Sequence, residues 1–241
     1  MERFLRRALI LAASLLCLLF IPNALVSLNS DGESECYGSP SNGRLEDGVR
    51  LSTPRWMRDE VRSYCPFCEL LLRTYVHSDV ATVVHVAYTG VGYDGFMNTD
   101  WVYGETGWPW GGSFRPHRTH KNGLSVDFMA PLKDGARFPT HPFNRFGYDE
   151  EFDENGNGAA GKIDFRAMGS HLASLLSAAQ EAGGGIRRVI LAPDLQDDLF
   201  AARADHAGVS ASIRGKHGCA TTIIITWIST FPVRRSPKDR P

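Results

Sequence analysis

The chain has no excess of charge of either sign. Its 241 residues carry 26 basic and 27 acidic side chains, which gives a formal net charge of −1. Proteins that neutralise nucleic-acid phosphates need an excess of lysine and arginine, so we expect no nucleic-acid partner. With 43% apolar and 22% charged residues, the composition argues against wholesale disorder and predicts one domain with a hydrophobic core.

Long hydrophobic runs are absent except near the N terminus. Three arginines precede fourteen largely apolar residues, 8–21, as in a secretory leader. A helix of fourteen residues is about 21 Å long, shorter than a bilayer core of roughly 30 Å. No clean cleavage triplet follows, so an uncleaved membrane anchor remains an alternative. We expect residues 1–27 to be a signal peptide or membrane anchor, residues 28–35 to be a linker, and the protein to be exported to the periplasm or cell envelope.

Cysteine is scarce, and four of the five cysteines follow the leader: Cys36, Cys65, Cys68 and Cys219. Outside the cytoplasm such thiols tend to oxidise. The spacing Cys65-Pro-Phe-Cys68 is that of disulfide oxidoreductases, but no thioredoxin-like strand precedes it. The sequence therefore favours a local structural disulfide or two buried thiols over redox chemistry.

The pattern of apolar residues predicts an α+β fold, with a small, mostly antiparallel sheet, flanking helices and long loops. We expect helices within 53–76, Phe165–Ala182 and Pro193–Ala202, and strands at Val80–Thr89, Leu124–Ala130 and Arg187–Ala192. His85 lies inside the first of these strands, where a core histidine is expected. The loop Tyr93–Trp110 is rich in aromatic side chains that can stack on sugars or pack under the loop.

The strongest chemical signal is His117-Arg-Thr-His120, followed seven residues later by Asp127. Imidazole nitrogens and carboxylate oxygens are the usual ligands of a catalytic zinc, which keeps one coordination position open for water. A turn at Asn122-Gly123 would fold His120 back beside Asp127 on the following strand. The alternative is a surface loop with scattered histidines.

A second segment has the spacing of a calcium-binding loop. Asp153-x-Asn155-x-Asn157-Gly158 is followed by Asp164 at the twelfth position. An aspartate at the last position, where glutamate is usual, weakens this reading. Asn-Gly runs also form plain turns, which is the favoured alternative.

Together these segments resemble the penicillin-insensitive murein endopeptidases, zinc peptidases of the same structural group as D-Ala-D-Ala dipeptidases and lysostaphin-like enzymes. Gly111-Gly-Ser-Phe-Arg-Pro-His117-Arg-Thr-His120, with Gly123-Leu124 and Val126-Asp127-Phe128, resembles the family's zinc motif closely. The loop 38–43 and the helix–strand pair 172–191 support the resemblance. The implied domain spans residues 36–218.

This resemblance implies that His120 and Asp127 bind the catalytic zinc, and His117 matches a histidine also described as metal-binding. The third ligand should come from a C-terminal His-x-His, whose other histidine is the expected general base. This sequence contains no His-x-His, and His206 and His217 are isolated.

The genetic code offers an explanation for the missing motif. Shifting the frame one base upstream within Gly218–Ile228 permits His-Asp-Asn-His-Tyr-His-Val-Asp-Phe, with the last Asp forced by the Trp-Ile junction. We therefore expect residues 219–241 to be an out-of-frame tail. The alternative is a genuine strand, since Thr-Thr-Ile-Ile-Ile-Thr-Trp is strongly β-prone.

The resemblance implies an exported zinc metallopeptidase that hydrolyses D-alanyl-diaminopimelate cross-links of peptidoglycan, impaired in this chain by the lost histidines. One alternative is a non-catalytic envelope protein that binds peptidoglycan or calcium. The other is a redox protein that uses Cys65 and Cys68.

Overall fold

The structure is a computed structural model that describes residues 2–29, 33–51, 61–93, 95–96, 98–202 and 222–227. Helices and small, mostly antiparallel sheets make up an α+β fold, as the sequence predicts. The helices are α1 Glu2–Asn29, α2 Pro66–Leu70, α3 Ser78–Tyr93, α4 Phe165–Glu181 and α5 Gln196–Ala202. The strands are β1 Glu35–Ser39, β2 Asn42–Glu46, β3 Val49–Arg50, β4 Val61–Ser63, β5 Tyr75–Val76, β6 Trp101–Tyr103, β7 Ser125–Met129, β8 Asn157–Gly158, β9 Gly161–Lys162, β10 Ile186–Ile190 and β11 Thr222–Trp227.

A five-stranded sheet in the order β10-β11-β7-β6-β4 forms the centre of the fold. Only the β4–β6 pair is parallel, and the other neighbours are antiparallel. All five residues of β7 are buried, because this strand lies in the middle of the sheet and carries Val126, Phe128 and Met129 into the core. Three two-stranded pairs, β1–β2, β3–β5 and β8–β9, form separate small sheets.

The predicted strand at Val80–Thr89 is wrong, because this segment belongs to helix α3. Its buried positions, Val80, Val84, Ala87 and Val91, recur at helical spacing. The run of β-branched residues suggested a strand, but packing of α3 against α4 outweighs that local preference. His85 is therefore a half-buried helical residue and not part of a core strand.

Two of the three predicted helices are confirmed. The predicted strands at Leu124–Ala130 and Arg187–Ala192 are also confirmed, as β7 and β10. Helix α4 follows the predicted apolar spacing, and Gly183 after it has a positive φ of 77°. A short 3-10 turn, Pro193–Leu195, and α5 form the predicted helix at 193–202.

Of the one or two helices expected within 53–76, the described residues contain one. Helix α2 lies in this segment, but strands β4 and β5 flank it. Residues 52–60 lie outside the described part of the chain. Cys65 and Cys68 form a disulfide at the start of α2, and both are buried, which agrees with the predicted structural disulfide.

Residues 222–227 form strand β11 between β7 and β10, which is the strand alternative for this segment. The reading frame of the gene is a separate matter and remains a prediction. The apolar run 8–21 lies within α1. None of the described helices has both the length and the apolar character needed to cross a bilayer.

Candidate metal centre

The candidate site lies where the connection from β6 to β7 returns to the sheet. Asp127 is in the middle of β7, and His117 and His120 lie on the loop before it. Gly123 has a φ of +74°, a conformation that few other residues adopt, and a Cβ there would lie 2.8 Å from the His77 nitrogen. The predicted turn at Asn122-Gly123 is therefore present and brings His120 back to Asp127.

The β1–β2 hairpin contacts the connection between β6 and β7. The backbone nitrogen of Lys121 donates to the carbonyl oxygen of Pro40, and Leu45 donates to the carbonyl of Trp110. Residues 38–43, the loop quoted in support of the resemblance, therefore contain the hairpin turn that contacts the histidine loop.

His117, His120 and Asp127 form a group that can hold a metal ion, since one ligand atom from each lies within 4.8 Å of the others. His120 Nε2 lies 3.0 Å from Asp127 Oδ1, and His117 Nδ1 lies 3.4 Å from Asp127 Oδ2. The side chains of His120 and Asp127 are fully buried, whereas that of His117 is 12% exposed. His117 therefore lies on the side of the group that solvent reaches.

The second ring nitrogen of His120 is fixed by the backbone. Its Nδ1 lies 2.8 Å from the carbonyl oxygen of Thr106, which can only accept a hydrogen bond. Nδ1 therefore carries a hydrogen, and Nε2 faces Asp127. Burial alone would lower the pKa of His120, but the negative charge of Asp127 and the contact with Thr106 raise it overall. The same negative charge favours a metal cation beside Nε2.

His117 is oriented in the same way by a carboxylate. Its Nε2 lies 2.5 Å from Glu105 Oε2, so the hydrogen is on Nε2 and Nδ1 faces Asp127. A ligating histidine whose outer nitrogen donates to a carboxylate or a carbonyl is a common arrangement around metals, since it fixes the tautomer and raises basicity.

Glu105 is itself held by two further side chains. Tyr64 Oη donates to Glu105 Oε1 across 2.8 Å, and Arg73 Nε donates to the same oxygen across 2.5 Å. Burial would raise the pKa of Glu105, but hydrogen bonds from His117 and Arg73 lower it to about 2. Glu105 is therefore ionised at neutral pH, and both of its oxygens are engaged, which suits an orienting group better than a proton acceptor.

Two buried atoms in the group lack a hydrogen-bond partner among the described residues: His120 Nε2 and Asp127 Oδ1. They lie 3.0 Å apart, but they are not aligned as a hydrogen bond. Buried polar atoms without partners are costly. Ligands of a tetrahedral ion with bonds of about 2.0–2.1 Å lie about 3.3 Å from one another, close to this separation. The donors therefore fit a metal ion.

The backbone of β11 lies beside the site. Ile224 pairs in register with Asp127, and Thr226 pairs with Ser125. In the alternative reading frame the two histidines of His-Tyr-His would fall at about positions 224 and 226. His206 and His217 lie outside the described residues.

Sequence reasoning found the three candidate ligands but missed the residues that orient them. Glu105 and Thr106 were read only as part of an aromatic loop, and Arg73 only as part of a predicted helix. Tyr148 lies 21 residues after Asp127 in a segment without a motif. No signal in one sequence links these residues, because long-range packing brings them to the site.

The other functional hypotheses have less structural support. Asp153 Oδ1 accepts hydrogen bonds from the backbone nitrogens of Asn155 and Asn157, and Asp164 caps helix α4. In the segment with calcium-loop spacing, the carboxylate of Asp153 therefore stabilises a turn, and that of Asp164 caps a helix. In the aromatic loop, Trp101 and Tyr103 are buried in the core, and Trp110 is exposed.

A scan of the sequence against models of protein families and a search of curated proteins found no match. The likeness to murein endopeptidases therefore rests on the residues quoted above.

Proposed function

We propose that this chain is an exported, zinc-dependent peptidase of the murein endopeptidase type, acting on D-alanyl-diaminopimelate cross-links of peptidoglycan. The observation that carries the proposal is the convergence of His117, His120 and Asp127, each of which offers one ligand atom within 4.8 Å of the others. The close match of residues 111–128 to the family's zinc motif supports the same chemistry.

His120, Asp127 and His117 would hold the zinc. When bound, zinc supplies a Lewis acid that polarises an amide carbonyl and makes a water nucleophilic near neutral pH. Thr106 and Glu105 hold the outer ring nitrogens of the two histidines and so orient the inner nitrogens toward Asp127. The partly exposed side of His117 is where a substrate peptide reaches the ligands.

The chain as written lacks the histidine that the resemblance implies as the proton acceptor. Glu105 is engaged on both oxygens, and no His-x-His is present. General acid–base catalysis contributes about 10²–10⁴-fold in rate, so we expect zinc binding with very slow hydrolysis. The adjacent backbone of β11 supports a frameshift as the origin of this loss, because the out-of-frame histidines would lie in register with β7.

Zinc titration and mass analysis of muropeptides test the proposal directly. We expect the wild-type chain to bind one zinc, and His120→Ala and Asp127→Ala to abolish binding. A chain restored to the alternative frame should cleave cross-linked muropeptides at least about 100-fold faster than the chain as written. A wild-type chain that binds no zinc, or a restored chain that cleaves nothing, contradicts the proposal.

The absence of a His-x-His also favours a second candidate, an envelope protein that binds peptidoglycan without cleaving it. Retained affinity for muropeptides without hydrolysis, together with a gene whose 3′ end shows no frame error, would support it.

A further inference from the structure

Tyr148 contacts both sides of the candidate metal centre. Its hydroxyl donates to Asp127 Oδ2 across 3.0 Å and accepts from the backbone nitrogen of Glu105 across 2.8 Å. Its ring packs edge-on against the ring of His117, with the centroids 5.6 Å apart. One side chain thus contacts the buried carboxylate, one histidine and the residue that orients this histidine.

The hydroxyl proton of Tyr148 has one acceptor among the residues that the structure describes. The backbone nitrogen of Glu105 can only donate, so the hydrogen of Tyr148 Oη is directed at Asp127 Oδ2. The other carboxylate oxygen, Oδ1, has no hydrogen-bond partner in the described part of the chain and faces His120. The hydrogen bond from Tyr148 therefore occupies Oδ2 of Asp127 and leaves Oδ1 for a metal ion.

Gly104 leaves the space in which the hydroxyl lies. A Cβ at this position would lie 2.6 Å from Tyr148 Oη and 2.9 Å from the Cβ of Asp127. Its nitrogen also donates to the Asp127 carbonyl across 2.7 Å, which holds the two backbones together. Any larger residue would displace the phenol or the carboxylate.

The backbone before Tyr148 is folded tightly to deliver its side chain. Arg145 and Phe146 both have positive φ values, 47° and 59°, which non-glycine residues rarely adopt. The buried side chain of Asn144 holds this turn, because it accepts from the Gly147 nitrogen and donates to Pro139 and Glu150. Such backbone conformations persist where surrounding contacts enforce them, often at functional sites.

We infer that Tyr148 is a positioning residue of the metal centre, and that it holds Asp127 so that only Oδ1 is presented to the ion. The inference rests on the metal site of the proposed function. Outer partners of metal ligands change metal affinity by about 10–100-fold when they are lost. Tyr148 is an outer partner of Asp127, as Glu105 is of His117.

Equilibrium zinc titration of the full chain, in competition with a chromophoric chelator, tests this inference. Tyr148→Phe should weaken zinc binding about 10–100-fold. The matched control is Tyr88→Phe, which removes a buried hydroxyl without a hydrogen-bond partner among the described residues and should leave zinc affinity unchanged. The absorption spectrum of bound cobalt should change in Tyr148→Phe alone, because the freed oxygen alters the coordination.

Gly104→Ala tests the position of the Tyr148 hydroxyl by an independent substitution, because the added methyl group would displace this hydroxyl. It should also weaken zinc binding, and combining it with Tyr148→Phe should cost less than the product of the two separate effects, because the methyl group then meets no hydroxyl. Unfolding of each variant in urea checks that the fold is intact.

The outcomes separate this inference from the proposed function. If the wild type binds zinc and Tyr148→Phe binds it equally well with an unchanged cobalt spectrum, the role of Tyr148 is refuted and the metal site stands. Equal losses in Tyr88→Phe and Tyr148→Phe also refute it. A wild-type chain that binds no zinc overturns both.

Discussion

At the scale of single residues, Glu105 shows how a charged group is kept inside this protein. Its carboxylate receives hydrogen bonds from Tyr64, Arg73 and His117, and its side chain is only 9% exposed. A buried carboxylate needs such partners to remain ionised. The same contacts fix the ring of His117, so stability and the proposed metal binding depend on one side chain.

Glu105→Gln should therefore lower both the free energy of unfolding and the affinity for zinc. Losing the charge leaves Arg73 without its partner, which should lower the free energy of unfolding by about 3 kcal/mol. The weaker acceptor should lower zinc affinity about 10-fold. Urea unfolding and zinc titration measure the two effects.

Glu46→Gln is the control for this substitution, because Glu46 pairs with Arg44 on the surface, with 44% and 49% of the two side chains exposed. It should change the unfolding free energy by less than about 1 kcal/mol. Comparable losses in the two variants would contradict the assigned role of Glu105.

At the scale of elements, the sequence correctly predicts a helix or strand where the local conformational preference and the tertiary packing favour the same structure. Helix α4 combines helical spacing of Met168, Leu172 and Leu175 with an Asp164 cap, and it forms as predicted. Helix α3 is rich in β-branched residues, which favour a strand, but its buried positions recur at helical spacing. Only its packing against α4 decides between strand and helix.

The register of β11 against β7 makes a prediction about the third ligand. Residues directly opposite in an antiparallel pair have Cβ atoms about 4.5–5.5 Å apart, and position 224 is opposite Asp127. Ile224→His should therefore raise zinc affinity by at least about 10-fold, which corresponds to about 1.4 kcal/mol from an added ligand.

Ile225→His is the matched control, because neighbouring positions of a strand alternate between the two faces of a sheet. It should leave zinc affinity unchanged. Equal effects of the two substitutions, or no effect of Ile224→His, would argue against β11 as the strand of the third ligand.

At the scale of the whole molecule, the candidate site divides into a part that sequence reveals and a part that it does not. His117, His120 and Asp127 lie within eleven consecutive residues, so their spacing alone indicates a ligand set. Arg73, Glu105 and Tyr148 come from three distant segments, and only the folded sheet brings them together. Their roles depend on contacts that no local pattern encodes.

The interface between the helices and the sheet predicts how stability depends on pH. His171 on α4 is buried between Tyr88, Trp101 and Phe128, and burial lowers its pKa to about 3. The unfolded chain has a histidine pKa near 6.5, so it binds more protons than the folded chain between these two values. The free energy of unfolding should fall as pH decreases through this range, by about 1.4 kcal/mol per pH unit from this group.

His171→Phe should remove this dependence, since phenylalanine fits an aromatic environment and does not titrate. Urea unfolding at pH 7, 6, 5 and 4 measures the slope for both proteins. Glu105 has a folded pKa of about 2, so its protonation lowers the free energy of unfolding only below about pH 4.5. The wild type and His171→Phe share this loss. Parallel curves between pH 6.5 and 4.5 would contradict the prediction.

The two histidines receive their outer hydrogen-bond acceptors from neighbours in the chain, Glu105 through its side chain and Thr106 through its backbone. The tautomers of both rings are therefore controlled by one dipeptide, which follows β6 after Gly104. Inserting a single residue after Tyr103 would misplace both acceptors together, whereas a length change at the exposed residues 153–155 would spare them. This dipeptide should thus be the point of the chain where natural variants tolerate insertions and deletions least.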